Sequence, residues 1–313
     1  MRSRGDTDDR FSSLAPDASR YGAVEAGGTK IVCGIGDHSG KLLETTTLRT
    51  RHPDQTVREI RAYFQAHPVA RIGIAAFGPV ELNPTAGTYG TLLNTPKIAW
   101  RGFNWFHNLQ DLLGVPVSIE TDVNAALLAE HAWGAAMDVH NALYVTVGTG
   151  IGGGVMIQEQ PVHGLLHPEM GHVTVRRLAQ DTFPGLCPHH HDCLEGLASG
   201  PALGARWHQA PEQLPRHHLA WDWEAYYLAQ SLATYLYVLS PERIILGGGV
   251  MQQTTLLPLI RQRVWQMLNG YLARPQLQPD KIDTYLVPPA LGSQTGLYGG
   301  LWLAMHAPAP PRN

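Results

Sequence analysis

Two stretches of this chain follow one plan, and that duplication constrains the fold more than any other feature. YGAVEAGGTKIVCGIGDHSGKLLETTTL, residues 21–48, reads as strand, glycine turn, strand, turn, strand. Val24, Ile31, Val32 and Ile35 are β-formers, and the breaks fall at Gly27-Gly28 and at Asp37–Gly40. NALYVTVGTGIGGGVMIQEQPVHG, residues 141–164, repeats the order, with a strand over 142–147, the turn GTGIGGG, a strand over 154–158 and a turn at Gln158–Pro161. It is the nearest thing to an internal repeat in the chain.

A P-loop needs Gly-Lys-Ser/Thr entering a helix, and a dinucleotide fingerprint needs its glycine turn between strand and helix. Here each turn lies between two strands. Backbone N–H groups in such a hairpin can still converge on an anion. Thr29 and Thr149 add hydroxyl donors and Lys30 a charge. The plain alternative is a pair of tight hairpins that need glycine for positive φ. A third cluster, Gly247-Gly248-Gly249, ends a strand expected over 243–247, with a helical segment from about Thr255. Glycines there let a phosphate or a flat ring approach the backbone, or simply close a short loop.

VPVSIETDVNAALLAEHAWGAA, residues 115–136, predicts a strand over 116–120 and then a helix, from the spacing of Ala125, Ala126, Leu128, Ala129 and Ala132. Thr121 or Asp122 is the natural N-cap. Asp122 is therefore either a cap or a general base, a carboxylate at a strand end able to take the proton of a hydroxyl that attacks phosphorus.

CPHHHDC, residues 187–193, holds two of the three cysteines. Cys187, His190 and Cys193 have the spacing C-x2-H-x2-C, and thiolate with imidazole is the donor set zinc favours. A closed site needs a fourth ligand, and His172, fifteen residues before Cys187 near the start of an expected strand, is the choice. Chemistry alone leaves His189, His190 and His191 as alternatives. A disulfide or an incidental polar loop are the rival readings. Glu169 and Glu195 flank the segment, as surface carboxylates or as acceptors for sugar hydroxyls.

The 313 residues suit one large domain or two of medium size. A net charge of −3, with 16% charged residues and no basic run, disfavours nucleic acid and anionic membrane as partners. No apolar run reaches the ~18 residues of a membrane span. The N-terminus lacks the apolar region of a secretory signal, and so few cysteines make a disulfide framework improbable, so a cytoplasmic protein is expected.

Taken together, EAGGTK (25–30), FGPVEL (77–82), TPKIAW (95–100), TDVNAALLAE (121–130), VGTGIGGG (147–154), HPEMGH (167–172), CPHHHDCLEGLASGPA (187–202) and LGGGVM (246–251) resemble the ROK family of sugar kinases, and within it the bacterial fructokinase branch. The resemblance runs from about Tyr21 to Ala307. It implies an α/β, actin-like, hexokinase-type ATPase fold with two RNase H-like domains around a cleft. The division expected is a small domain over 21–122, a large domain with a zinc-binding loop over 123–292, and a helix at about 293–307 packing back on the first. Residues 1–20 and 308–313 are expected to be disordered. The implied reaction is ATP- and Mg²⁺-dependent phosphorylation of a hexose, first of all D-fructose to fructose 6-phosphate, with mannose or glucose as alternatives.

By the same resemblance Asp122 is the catalytic base. Gly27, Gly28, Thr29 and Lys30, with Gly148, Thr149 and Gly150, form the two phosphate loops. Pro201 and Gly247, Gly248, Gly249, Val250 and Met251 lie around the nucleotide. Thr121, Asp122, Glu169, His172 and Glu195 meet the sugar, and His172, Cys187, His190 and Cys193 hold structural zinc. Thr121-Asp122, in place of Asn-Asp, is typical of the fructokinase branch, whereas HHH departs from the aromatic and histidine often found there. A homodimer is expected, with Trp and Tyr residues in 221–237 serving either an interface or the core. A sugar-responsive repressor of the same family would need a DNA-binding winged helix ahead of the core, and residues 1–20 show no such pattern. A catalytically silent sugar binder is disfavoured by the base and both turns.

Overall fold

In chain order the elements are β1 (Arg20–Ala26), β2 (Lys30–Asp37), β3 (Leu42–Arg49), α1 (Pro53–Ala66), β4 (Arg71–Ala76), α2 (Trp105–Leu113), β5 (Val117–Thr121), α3 (Asp122–Trp133), β6 (Ala142–Val147), β7 (Ile151–Ile157) and β8 (Gln160–Pro161). There follow α4 (Leu194–Ala198), α5 (Gly200–Trp207), α6 (Leu219–Leu239), β9 (Arg243–Gly247), α7 (Leu256–Leu268), β10 (Leu286–Val287) and α8 (Thr295–His306). The structure is a computed structural model and describes residues 19–306. The segments expected to be disordered lie outside the described residues, except that Arg20 already pairs with Asp37 in the first sheet.

Among the described residues the strands form two five-stranded sheets, in the orders β3-β2-β1-β4-β5 and β10-β9-β6-β7-β8. Read from opposite ends, these are one topology used twice. In the first sheet β1 is antiparallel to β2 and parallel to β4; in the second, β6 is antiparallel to β7 and parallel to β9. Each glycine turn joins the first hairpin of its sheet, at Ala26↔Ile31 and Val147↔Ile151.

The outer face of the first sheet is covered by α1 and α2, through Ile60, Phe64, Leu109 and the stacked pair Trp100–Trp105, whose ring centroids are 4.9 Å apart. In the second sheet Val145, Val147 and Leu246 pack with residues of α4, α6 and α7. On the inner faces α8 lies on β1 and β4, α3 lies on β6 and β7, and the two helices pack on each other. This inner layer packs closely because glycines stand at several of its contacts. A Cβ on Gly73 would stand 2.0 Å from the carbonyl oxygen of Gly300, and one on Gly299 2.5 Å from the backbone carbon of Ala125. The aromatic residues of 221–237 divide: Trp221, Tyr227 and Tyr235 are core, while Tyr237 is exposed.

Two local expectations change. Residues 151–153 belong to β7 rather than to the turn, so the glycines of IGGG sit in a strand. They are there for close approach, since a Cβ on Gly154 would meet Val123 O at 2.5 Å and Asn124 N at 2.9 Å in the first turn of α3. The segment at His172 is a 3-10 turn, Met170–His172, followed by a single bridge between Thr174 and Cys193, and is not a strand. Gly154→Ala should force β7 and α3 apart and cost about 1–3 kcal/mol, the usual range for overpacking. Urea unfolding of the variant against wild type measures it.

Candidate active site

The β5–α3 junction carries the central carboxylate. Thr121 is the cap: its Oγ1 accepts the N–H of Asn124 at 3.1 Å. Asp122 is thereby released from capping, and its Oδ1 accepts the adjacent Val123 N–H at 2.9 Å. Loss of water pushes the Asp122 carboxyl up to about 7, with the charge of Glu25 adding to the shift and that of Glu169 adding less. An acid held near neutrality can take up and release a proton at working pH. Glu25 is the penultimate residue of β1, and its carboxyl is also raised by burial, against the pull of Lys30. Glu169 is raised to about 7, by burial first and then by Glu195. Acids from β1, α3 and the 3-10 region at 169 therefore face one another with little compensating charge.

The second glycine turn is built into a cradle. Gly148 N–H donates to Gly150 O, and Gly148 O accepts the N–H of Gly200 at 2.7 Å, which sets the start of α5 against the turn. Ser199 caps α5 through Oγ, and Pro201 stands exposed in its first turn. Gly248, at φ +96°, turns the chain against Val147, where a Cβ would meet Val147 O at 2.3 Å. Gly249 faces open space. The structure thus brings Gly148, Thr149, Gly150, Pro201 and Gly247–Gly249 to one edge of the second sheet. Val250 directs its side chain into the core there, and the half-buried Met251 packs against it. Glu195 accepts the N–H of Ile151 at 2.9 Å, bracing the turn.

The first glycine turn stands on the other sheet, with Thr29 and Lys30 exposed. It is tied by Gly27 N–H to Lys30 O at 3.0 Å and by Thr50 Oγ1 to Gly27 O at 2.8 Å. Lys97 reaches it, with its Cε 3.1 Å from where a Cβ of Gly28 would lie.

His172, Cys187, His190 and Cys193 converge, their donor atoms all within 4.8 Å of one another. His172 Nδ1 lies 3.7 Å from Cys187 Sγ and 3.5 Å from Cys193 Sγ, and His190 Nδ1 lies 3.6 Å from Cys187 Sγ. Tetrahedral bonds of about 2.0–2.3 Å to nitrogen and sulfur require ligand separations of roughly 3.3–3.8 Å, so the four could hold a metal ion. The choice among three histidines is made by the backbone. His191 takes the left-handed conformation, at φ 55°, and exchanges both backbone hydrogen bonds with Cys187, which closes the turn and leaves His190 inside it.

The sequence signature described as the ROK family matches residues 21–307. The chain belongs to the ROK family. It is 41% identical over 286 residues to a fructokinase of Pediococcus pentosaceus, covering 91% of this chain and 98% of that one. A fructokinase of Zymomonas mobilis is 38% identical over 300 residues, covering 93% and 98%. The crystal structure of a ROK family glucokinase from Streptomyces griseus, in complex with glucose and AMPPNP, matches at TM-score 0.72 and 26% identity, covering 91% of this chain and 99% of that one. The duplicated sheet topology is thus the α/β, actin-like fold of the ROK sugar kinases.

Sequence reasoning gave no role to Glu25, Lys97, Glu120 or His163. Glu25 stands in EAGGTK and Lys97 in TPKIAW, and only an acid or a base beside a glycine turn could have flagged them. The burial of Asp122 yields a test. Its folded pKa exceeds the unfolded value, so the native state holds the proton more tightly, and stability falls as pH rises from about 4 towards about 7. Asp122→Asn removes that loss. The variant should be more stable than wild type at pH 8 by roughly 1–3 kcal/mol and show a smaller difference at pH 4, read by denaturant unfolding at both pH values.

Proposed function

We propose that this protein transfers the γ-phosphoryl group of ATP to a hexose, with D-fructose to fructose 6-phosphate as the principal reaction. The observation that carries the reading is Asp122, a carboxylate near pKa 7 at the head of α3 with no capping duty. Support comes from the two glycine hairpins on equivalent sheets and from the fructokinase relatives.

In this reading the Gly27–Lys30 and Gly148–Gly150 turns present backbone N–H groups to the phosphates, with Thr29, Thr149 and Lys30 at their tips. Gly247–Gly249, the backbone of Val250 and Met251, and the Pro201 end of α5 receive the nucleotide. Thr121, Glu169, His172 and Glu195 line the side where the sugar enters. Asp122 orients the sugar hydroxyl and accepts its proton as the oxygen–phosphorus bond forms. The bond between the γ-phosphorus and the bridging oxygen then breaks, and ADP leaves. Mg²⁺, when bound with ATP, neutralises charge developing on the phosphates. Glu25, an acid raised by burial beside Asp122, would fit a site that receives a cation through one or two carboxylates, leaving Asp122 free as the base.

His172, Cys187, His190 and Cys193 would hold zinc as a structural ion, pinning the loop between Glu169 and Glu195. The same reading places the domain division at Asp122/Val123, with α8 returning to the first domain. It adds a homodimer, and a cytoplasmic location in keeping with buried cysteines that form no disulfide among the described residues. A broader hexokinase is the second reading, favoured by the match to a glucokinase structure.

ADP release with ATP, Mg²⁺ and, in parallel, fructose, mannose, glucose and N-acetylmannosamine tests the assignment. Fructose should dominate; comparable rates with another sugar would support the broader enzyme, and no turnover would remove the kinase. Asp122→Asn should lower turnover by at least ~10². Because the base must be unprotonated, wild-type kcat/KM should fall as pH drops through about 7. Cys187→Ser should lose bound zinc and thermal stability together, as read by metal content and melting temperature.

A further inference from the structure

The segment between β8 and the 3-10 turn at 170–172 leaves the edge of the second sheet and crosses to the first. It is fastened there twice. His163 Nε2 lies 2.8 Å from Glu120 Oε2, on β5 of the first sheet. Four residues on, His167 Nε2 accepts the N–H of Val80, just after β4, at 3.2 Å. Between the fastenings Leu165 is fully exposed. Beyond them come Glu169 and then His172, so this strap leads into the sugar-facing carboxylate and the Cys/His group.

The Glu120 end of the pair reaches the catalytic turn. Glu120 is buried, and its other oxygen, Oε1, accepts the N–H of Thr121 at 2.8 Å and the amide Nδ2–H of Asn124 at 3.1 Å. Asn124 Oδ1 accepts the N–H of Val155 on β7 at 3.3 Å. One buried carboxylate therefore spans the strap, the residue before Asp122, the first turn of α3 and, through Asn124, the second sheet.

We propose that His163 and Glu120 form an interunit clasp that positions Asp122 and the sugar-facing Glu169 for phosphoryl transfer. The inference rests on the kinase reading above. His163 and Glu120 are positioning residues: no transferred atom passes through them. A carboxylate so deeply placed is costly without a charged partner, which is why the pair reaches its short distance across two units. The hydrogen bond to Glu120 raises the imidazole above its ordinary range, against the opposing effect of burial. The clasp is thus complete while His163 carries its proton and weakens as pH rises through that raised value. The charged and titratable groups around it are Glu120 on β5, Tyr89, which interacts with Glu120, His167 on the strap, Glu169, 3.5 Å from His167, and Glu81 after β4, which acts on His167.

The test compares the full-length wild type with His163→Gln, His163→Lys and Glu120→Gln. Fructose turnover is followed from acid to alkaline pH, together with the rate of chymotryptic cleavage at Leu165 and Leu166. His163→Gln should lower kcat roughly tenfold or more, leave the KM for ATP within about twofold, and be cleaved faster. His163→Lys should recover most of the turnover and abolish the alkaline decline of the wild type, which a purely structural role would not do. Wild-type turnover, pH profile and cleavage rate in His163→Gln would overturn the clasp, as would a loss that His163→Lys does not recover. A wild type inactive on every sugar would overturn the kinase reading instead, and the cleavage rates would then still decide whether the clasp exists.

Discussion

A single buried carboxylate inside α3 anchors the middle of the molecule. Glu130 is fully buried and accepts from the N–H groups of Ala135, Ala290 and Leu291 and from Thr295 Oγ1. A buried charge is tolerated only when its lone pairs are met, and here backbone donors from two loops meet them. The consequence is architectural. The chain leaving β10 is caught at 290–295, beside α3, and continues as α8 onto the first sheet. The α3–α8 layer that joins the two sheets depends on this catch. So does the direction of α3, whose opposite end presents Asp122.

The close spacing of that layer has its own chemistry. Gly73, Gly299 and Gly300 let α8 sit against β4 and α3, while Gly154 lets α3 sit against β7. Each contact brings backbone to backbone, and each would be opened by a single methyl group. α3 is thereby held in its first turn by glycine contacts at Val123 and Asn124 and further along by hydrogen bonds at Glu130. Asp122 receives a fixed position and loses water, which is what raises its pKa towards neutrality.

The duplicated sheets differ in what is attached to them. The first is covered by α1 and α2, carries Glu25 on β1 and leads from β5 into Asp122 at the head of α3. The second carries the long excursion from β8 to α4, containing the strap, Glu169 and the Cys/His group. Acids come mainly from the first unit and the strap, and the glycine cradle from the second. A reaction that joins a polar acceptor to a polyanionic donor needs both kinds of surface to face each other.

Much of this was written in local pattern. The two hairpins, the helix after Thr121, the strand before Gly247 and the ligand spacing of Cys187, His190 and Cys193 rest on contacts within a few residues, where turn chemistry, capping and side-chain period act directly. The glycines at 152 and 153 misled for the same reason, because glycine signals a turn locally and its use for close packing is set by segments far along the chain. The partners of Glu25, Lys97, Glu120 and His163 were invisible for a related cause. A charge or imidazole in sequence does not name its neighbour, and these groups meet only after both sheets have closed on α3 and α8. Residue types and spacing along the chain determined the repeated units and narrowed the candidates to one carboxylate at a helix head and one cluster of cysteines and histidines. Three-dimensional packing brought His172 to the cysteines and decided which acids share a field and which buried carboxylates hold the two halves in register, because those depend on distances between segments far apart in the chain.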